Sequence, residues 1–209
     1  MKQKTNNNLF IAITGDIGSG KSTVIDFFIK KKITIWKADK VVHELYSQEE
    51  VLLKIKKMFG DIVIKDNMID KGYIKKIVFK DPSLLKKLNN YMIPLIDIKL
   101  KSFIDEVTFK NKNEIVIFEI PLLFENNLEI YFDLTVLIEA NKSNKIIRVM
   151  QRDKCTKKLV ASILENQMPQ EVKKQKANII ISNNGNIKTL YLQLDVLLQT
   201  FISISKANC

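Results

Sequence analysis

Cysteine, histidine and arginine are nearly absent from this chain. Its two cysteines, Cys155 and Cys209, supply neither a disulfide framework nor the spaced ligand pairs of a zinc site, and free thiols fit a cytoplasmic protein. One histidine, His43, builds no metal centre by itself. Six glycines and four prolines in 209 residues exclude collagen-like and low-complexity chains. No apolar run approaches the roughly 18 residues of a membrane-crossing helix. Residues 1–8 are polar and lysine-bearing, and read as a frayed tail, not as a secretory signal.

What the chain has in quantity is lysine. Lys and Arg number 34 against 23 Asp and Glu, a net charge of +11, and only Arg148 and Arg152 are arginine. That balance favours anionic partners: nucleic acid, an acidic membrane or phosphorylated small molecules. The lysines are spread along the whole chain, whereas a nucleic-acid face would concentrate them on one element, so much of this charge is a solvated surface. With 46% hydrophobic residues the chain can bury a full core as one domain with small insertions.

Half of the glycines stand in one six-residue window. Gly15-Asp16-Ile17-Gly18-Ser19-Gly20-Lys21-Ser22 satisfies G-x-x-x-x-G-K-[ST], and Thr23 follows. At this spacing successive backbone N–H groups wrap a β-phosphate, the lysine reaches the β/γ oxygens and the hydroxyl ligates Mg²⁺. A plain turn between strand and helix needs neither Lys21 nor Ser22. Residues 9–14 before the loop are continuously apolar, as in a buried parallel strand, and residues 21–31 after it can form a helix whose N-terminus faces the phosphates.

The remaining apolar runs and breakers give a βα alternation with two helical insertions, hence an α/β fold: a P-loop NTPase three-layer core with a parallel sheet and two helical appended parts. Strands are expected at 33–36, 115–120, 134–138 and 178–182. Residues 40–110 read as helical. Asp70 opens one helix through Phe79, and Asp81-Pro82 opens another that Pro94 kinks or breaks. Residues 142–176 and 187–204 are helical too. The expected division is a nucleotide core of 9–39, 111–147 and 177–205, helical segments at 40–110 and 148–176, and the tail at 1–8.

Several polar residues fall where ligands bind such sheets. Asp39, past the second strand, could take the proton of an attacking hydroxyl or hold Mg²⁺, and equally could be the N-cap of a helix. Glu119 ends the third strand, where phosphate-loop proteins place an acid toward the metal, and Glu125 follows after Pro121-Leu122-Leu123-Phe124; either carboxylate could instead be solvated. Arg148 and Arg152, four apart, share a helix face and offer planar forks that lysine cannot reproduce; the alternative is a surface pair bridging Asp153. Asn141-Lys142-Ser143-Asn144 lacks the final carboxylate of a guanine-reading element.

Together these motifs resemble the dephospho-CoA kinase family over about residues 9–200. The resemblance rests on Thr14 to Thr23, Ala38-Asp39, Val78-Phe79 before Asp81-Pro82, Pro94-Leu95-Ile96, Pro121-Leu122-Leu123-Phe124-Glu125, Arg148 and Arg152, Gln167 and Asn183-Asn184-Gly185. It implies transfer of the ATP γ-phosphoryl group to the ribose 3′-hydroxyl of dephospho-CoA, with ATP and Mg²⁺ as cofactors, a helical substrate-binding insertion at 40–110 and a small helical lid at 148–176. It also implies site roles. Asp39, Lys21, Arg148 and Arg152 would be catalytic; Gly18, Ser19, Gly20, Lys21, Ser22, Thr23, Asn184 and Gly185 would bind nucleotide. Asp39, Lys71, Pro121, Leu122 and Glu125 would bind the acceptor, and Ser22 and Glu119 the metal. The reading is of a cytoplasmic monomer or small homo-oligomer without nucleic-acid or membrane partners. Lys37, Ile93, Lys71, Glu119 and Asn178 depart from the family's usual residues. A nucleoside or nucleoside-monophosphate kinase is the rival enzyme, and an ATP-dependent nucleic-acid-binding module the rival from another class.

Overall fold

The structure, a computed structural model, describes residues 8–110 and 114–207; Cys209 and residues 1–7 lie outside them. It divides into two compact units: the chain up to Lys37 together with the chain from Ile104, and Ala38–Phe103 between them. The expected insertion had been bounded at 40 and 110, and residues 148–176 fall within the larger unit.

The larger unit is built on five strands, β1 (Leu9–Thr14), β2 (Thr34–Lys37), β5 (Ile115–Glu119), β6 (Leu134–Glu139) and β7 (Ile179–Ser182). They are all parallel, in the order β2-β5-β1-β6-β7. β1 is central, and all six of its residues are buried. A strand covered on both faces has no solvent side, so the run Leu9–Thr14 shows no alternation. Helix α1 (Lys21–Lys30) buries Val24, Ile25, Phe27 and Phe28 against one face, and α9 (Ile187–Ala207) lays Leu190, Leu194, Leu197 and Phe201 into the same core. Among the described residues α9 alone is long and apolar enough to cross a membrane, and its inward face is part of this core.

Three helices follow β6: α6 (Lys142–Asp153), α7 (Lys157–Glu165) and α8 (Gln170–Lys176). Ile146 and Val149 of α6 pack with Val160 of α7, and Ile17 of the glycine loop lies against that cluster. Asn8, assigned to the tail, is buried instead: its Nδ2 donates to the Val107 carbonyl and its Oδ1 accepts the Glu114 amide.

The smaller unit holds α2 (Ala38–Leu45), α3 (Glu49–Phe59), β3 (Ile64–Lys65), β4 (Met68–Ile69), α4 (Lys71–Val78) and most of α5 (Pro82–Lys110). Asp70 caps α4 by accepting the Tyr73 amide at 2.9 Å, and Asp81 accepts the Ser83 amide at 2.8 Å where α5 begins. One expectation needs correction: the unit is not wholly helical, because β3 and β4 pair antiparallel across Asp66 and Asn67, both at positive φ as a two-residue hairpin turn requires. Of the kink or break expected at Pro94, the break is absent, since α5 runs through it as one 29-residue helix.

Candidate functional site

In a parallel sheet all strand ends of one kind share an edge. The glycine loop after β1, Glu119 at the end of β5, and Asn183 after β7 therefore meet at the C-terminal edge, the ligand edge of such sheets. Ile13, the last residue but one of β1, pairs with Glu119 in register.

The loop is held by side chains from neighbouring elements. Gly20 stands at the N-cap of α1 with φ 97°, and the Asn183 amide lies where its Cβ would be; Asn183 Nδ2 also donates to the Ser19 carbonyl at 2.8 Å. A side chain at position 20 thus meets both left-handed backbone strain and a steric block. Ser19 is fully buried, and among the described residues its Oγ has no hydrogen-bond partner. Lys21 folds its ammonium back onto the loop, donating to the carbonyls of Gly15 at 2.6 Å and Asp16 at 3.0 Å. Ser22 is exposed and Thr23 half-buried in the first turn of α1, whose end carries the positive pole of the helix dipole.

The two arginines differ. Arg148 is half-buried: its Nη2 donates to the Asn183 carbonyl at 2.9 Å and its Nη1 reaches the Gly18 carbonyl at 3.5 Å. Arg152, in the last turn of α6, is exposed and grips Asp153 through Nε at 2.7 Å and Nη2 at 3.0 Å. Arg148 is thus set against the loop and Arg152 against Asp153.

Behind the loop lies a feature the sequence reading missed. Asp16 accepts from Lys145 of α6 at 2.6 Å and from Lys173 of α8 at 3.0 Å, and Lys173 also donates to Glu125 at 2.7 Å. The side chains are 7% exposed at Lys145, 0% at Lys173 and 8% at Asp16, so the ion pairs are screened little by solvent. Burial, the largest single influence, pushes the Asp16 carboxyl up. The hydrogen bonds and charges of Lys145 and Lys173 together outweigh it and hold Asp16 below the usual aspartate range. The signal in the sequence was Asp16 itself, a charge inside a phosphate loop with no phosphate chemistry to perform.

Glu125 takes part in this network: its Oε1 accepts from Lys173 and from the Met168 amide, while among the described residues its buried Oε2 has no hydrogen-bond partner. Pro121 and Leu122 form the half-buried turn after β5, where Pro121 accepts Thr14 Oγ1 at 3.3 Å. Asn184 is a structural tie: its Oδ1 accepts the Asn141 amide at 2.7 Å, joining the end of β7 to the start of α6, with exposed Gly185 beside it. A cleft of about 330 Å³ opens between the start of α6 and the α7–α8 connection, with Asp16, Lys145 and Gln170 in its wall. The larger cavity, about 480 Å³, lies at the opposite end of the strands beside Thr34 and Ile115, away from the loop.

In the smaller unit, Asp39 is exposed in the first turn of α2. α2 starts at Ala38, directly after β2, so Asp39 is inside the helix and the N-cap alternative does not hold. His43 lies one turn further along, with the Lys71 ammonium against its Nδ1.

A five-stranded parallel sheet with a strand–glycine loop–helix at its ligand edge, Lys21 and Ser22 in place, and an arginine from a following helix defines a phosphate-loop kinase. Comparison with known proteins narrows the class. The model of the dephospho-CoA kinase family matches residues 9–189, and the chain belongs to that family. It is 30% identical to a dephospho-CoA kinase of Fusobacterium nucleatum over 193 residues, covering 92% of this chain and 98% of the relative. To a dephospho-CoA kinase of Lactobacillus johnsonii it is 35% identical over 192 residues, covering 91% and 96%. The solved dephospho-CoA kinase of Campylobacter jejuni superposes with a TM-score of 0.69 at 27% identity, covering 97% of this chain and 100% of that one.

Proposed function

We propose that the chain transfers the γ-phosphoryl group of ATP to the ribose 3′-hydroxyl of dephospho-CoA, releasing coenzyme A and ADP. The observation that carries the proposal is the formed phosphate loop in a chain of this family, with the fork of Arg148 beside it. In-line phosphoryl transfer needs positioning and charge neutralisation, not covalent chemistry. Loop amides and the α1 N-terminus receive the phosphates. The Lys21 ammonium, resting on loop carbonyls, exchanges those neutral acceptors for charged phosphate oxygens. Arg148, with Nη1 only loosely engaged, can turn that nitrogen to the transferring group while Nη2 keeps Asn183. Arg152 would have to release Asp153 to do the same. Asp39, on the smaller unit, accepts the proton of the 3′-hydroxyl, and Lys71 meets the acceptor's phosphates.

The donor set fits Mg²⁺. Among the described residues no group of three or more His, Cys, Asp or Glu could cage a metal. Mg²⁺ asks for less, usually one or two protein oxygens with water and phosphate completing its shell. Ser22 Oγ and the Glu119 carboxylate supply hard oxygens at the loop and at the end of the neighbouring strand, and the ion they would hold neutralises charge on the β- and γ-phosphates. Residues 148–176 form the lid that keeps water from the γ-phosphate in this reading.

The test is incubation of the purified protein with Mg-ATP and dephospho-CoA, adenosine, AMP and deoxynucleosides as separate acceptors, with identification of the product. Dephospho-CoA should be preferred in kcat/KM, because binding energy from its remote diphosphate and pantetheine parts can orient the hydroxyl. Preference for a nucleoside or AMP would overturn the reading.

A further inference from the structure

Buried charge is costly unless it is paired, and here two carboxylates and two ammonium groups are assembled next to a loop that has to receive a triphosphate. Their formal charges cancel. The negative charge of Asp16, which alone would repel phosphate, is neutralised by Lys145 and Lys173. The contacts also run in one direction along the chain. Asp16 holds Lys173 of α8, the Ile17 amide donates to Gln167 Oε1 at 3.1 Å, and Lys145 donates to Gln170 Oε1 at 2.7 Å while held by Asp16. The Ile17 side chain adds an apolar contact with the α6–α7 cluster. Two adjacent loop residues thus grip the α7–α8 segment at several points, although neither is needed to bind phosphate.

We propose that Asp16 is a positioning residue for phosphoryl transfer: through Lys145 and Lys173 it registers residues 157–176 on the phosphate loop, so that nucleotide in the loop is felt by that segment. This rests on the kinase reading above. A role confined to fold stability would change the unfolding midpoint alone. A positioning role changes turnover more than nucleotide affinity, because a misplaced segment damages the transition state while the loop amides still bind phosphate.

The experiment is Asp16→Asn, which keeps shape and one acceptor oxygen but removes the charge. ATP-dependent turnover is measured beside binding of a non-hydrolysable ATP analogue, with hydrogen exchange followed at 15–23 and at 157–176. Expected are analogue affinity within about threefold of wild type and kcat lower by about ten- to a hundredfold, the scale of a small misplacement. The analogue should still protect 15–23 and no longer protect 157–176. Wild-type kcat with full protection of 157–176 would overturn the proposal. So would loss of analogue binding in step with kcat, which would make Asp16 part of the loop's own shape. Should Asp16→Asn fail to fold, Lys145→Gln removes one of the two ammonium partners of Asp16 together with the contact to Gln170, and wild-type kcat with wild-type protection of 157–176 in that variant overturns the proposal equally. Exchange needs only nucleotide binding, so it decides the coupling even where no transfer to dephospho-CoA is found.

Discussion

Lys173→Met should be the most destabilising single replacement at this site. The methionine has nearly the length of the lysine stem, so no large cavity opens and the effect is electrostatic. Removing the ammonium strips one partner from Asp16 and one from Glu125, in surroundings where Lys173 is wholly buried. Breaking a buried pair from one side costs about 3–5 kcal/mol. Asp16 keeps Lys145 and Glu125 keeps the Met168 amide, which argues for the lower end, about 3 kcal/mol. For a domain of this size that lowers the thermal midpoint by about 6–12 °C. Scanning calorimetry at neutral pH measures it, with Lys174→Met as the control. Lys174 is the next residue, bridges Glu139 and Glu171, and is 30% exposed, so its replacement should leave the midpoint near wild type. The pH dependence has a definite sign. A folded-state pKa depressed below its unfolded value gives stability that is present above the unfolded pKa and lost as pH falls through the folded one. The Asp16 contribution should therefore fade as the medium is acidified through and below the usual aspartate range. Equal midpoints for Lys173→Met and Lys174→Met would refute the reasoning.

Lys21→Ala should abolish turnover with native circular dichroism, since the ammonium lies on the carbonyls of the loop that receives the phosphates and is the charge aimed at the transferring group; activity within a few-fold of wild type would remove the loop from the mechanism. Asp39→Asn should lower kcat much more than it raises either KM, because a proton acceptor acts in the transition state; unchanged steady-state kinetics would leave Asp39 without a chemical role. Arg148→Lys should impair transfer although charge is kept, and Arg152→Lys much less, because Arg148 is set against the loop and Arg152 against Asp153. Equal losses in the two variants would show that Arg152 leaves Asp153 during turnover.

The loop and the five strands were legible in the sequence because their causes are local. Glycine spacing encodes the loop, and strands covered on both faces leave continuous apolar runs. The hairpin was missed because each of its strands has two residues, too short for any alternation to register; its only trace is Asp66-Asn67, a pair suited to positive φ. The buried lysines were missed for a different reason. Lysine is the commonest charged residue here and is spread evenly, so nothing in the pattern distinguishes Lys145 and Lys173 from the exposed majority; only the fold, by bringing α6 and α8 to Asp16, does so. The arginine pair shows the limit of spacing. Four residues place two side chains on one helix face but also about 6 Å apart along the axis. That is enough to put Arg148 beside Gly18 and Arg152 at the end of α6 with Asp153.

The departures from the family's usual residues divide along the same physical line. At 178 the resemblance implies an aspartate; Asn178 uses its Oδ1 to accept from the Thr135 amide at 2.8 Å and the Thr135 hydroxyl at 2.9 Å, a task the amide oxygen performs as well as a carboxylate. Glu119 keeps the carboxylate it replaces, one methylene longer, at the end of a strand whose register is intact. Lys71 is different in kind. An arginine there would present a planar fork able to grip a phosphate with two parallel hydrogen bonds, whereas the lysine offers a point charge set against His43. The departure with the largest physical consequence is therefore Lys71, at a position the resemblance gives to the acceptor, while the glycine loop retains Lys21 and Ser22.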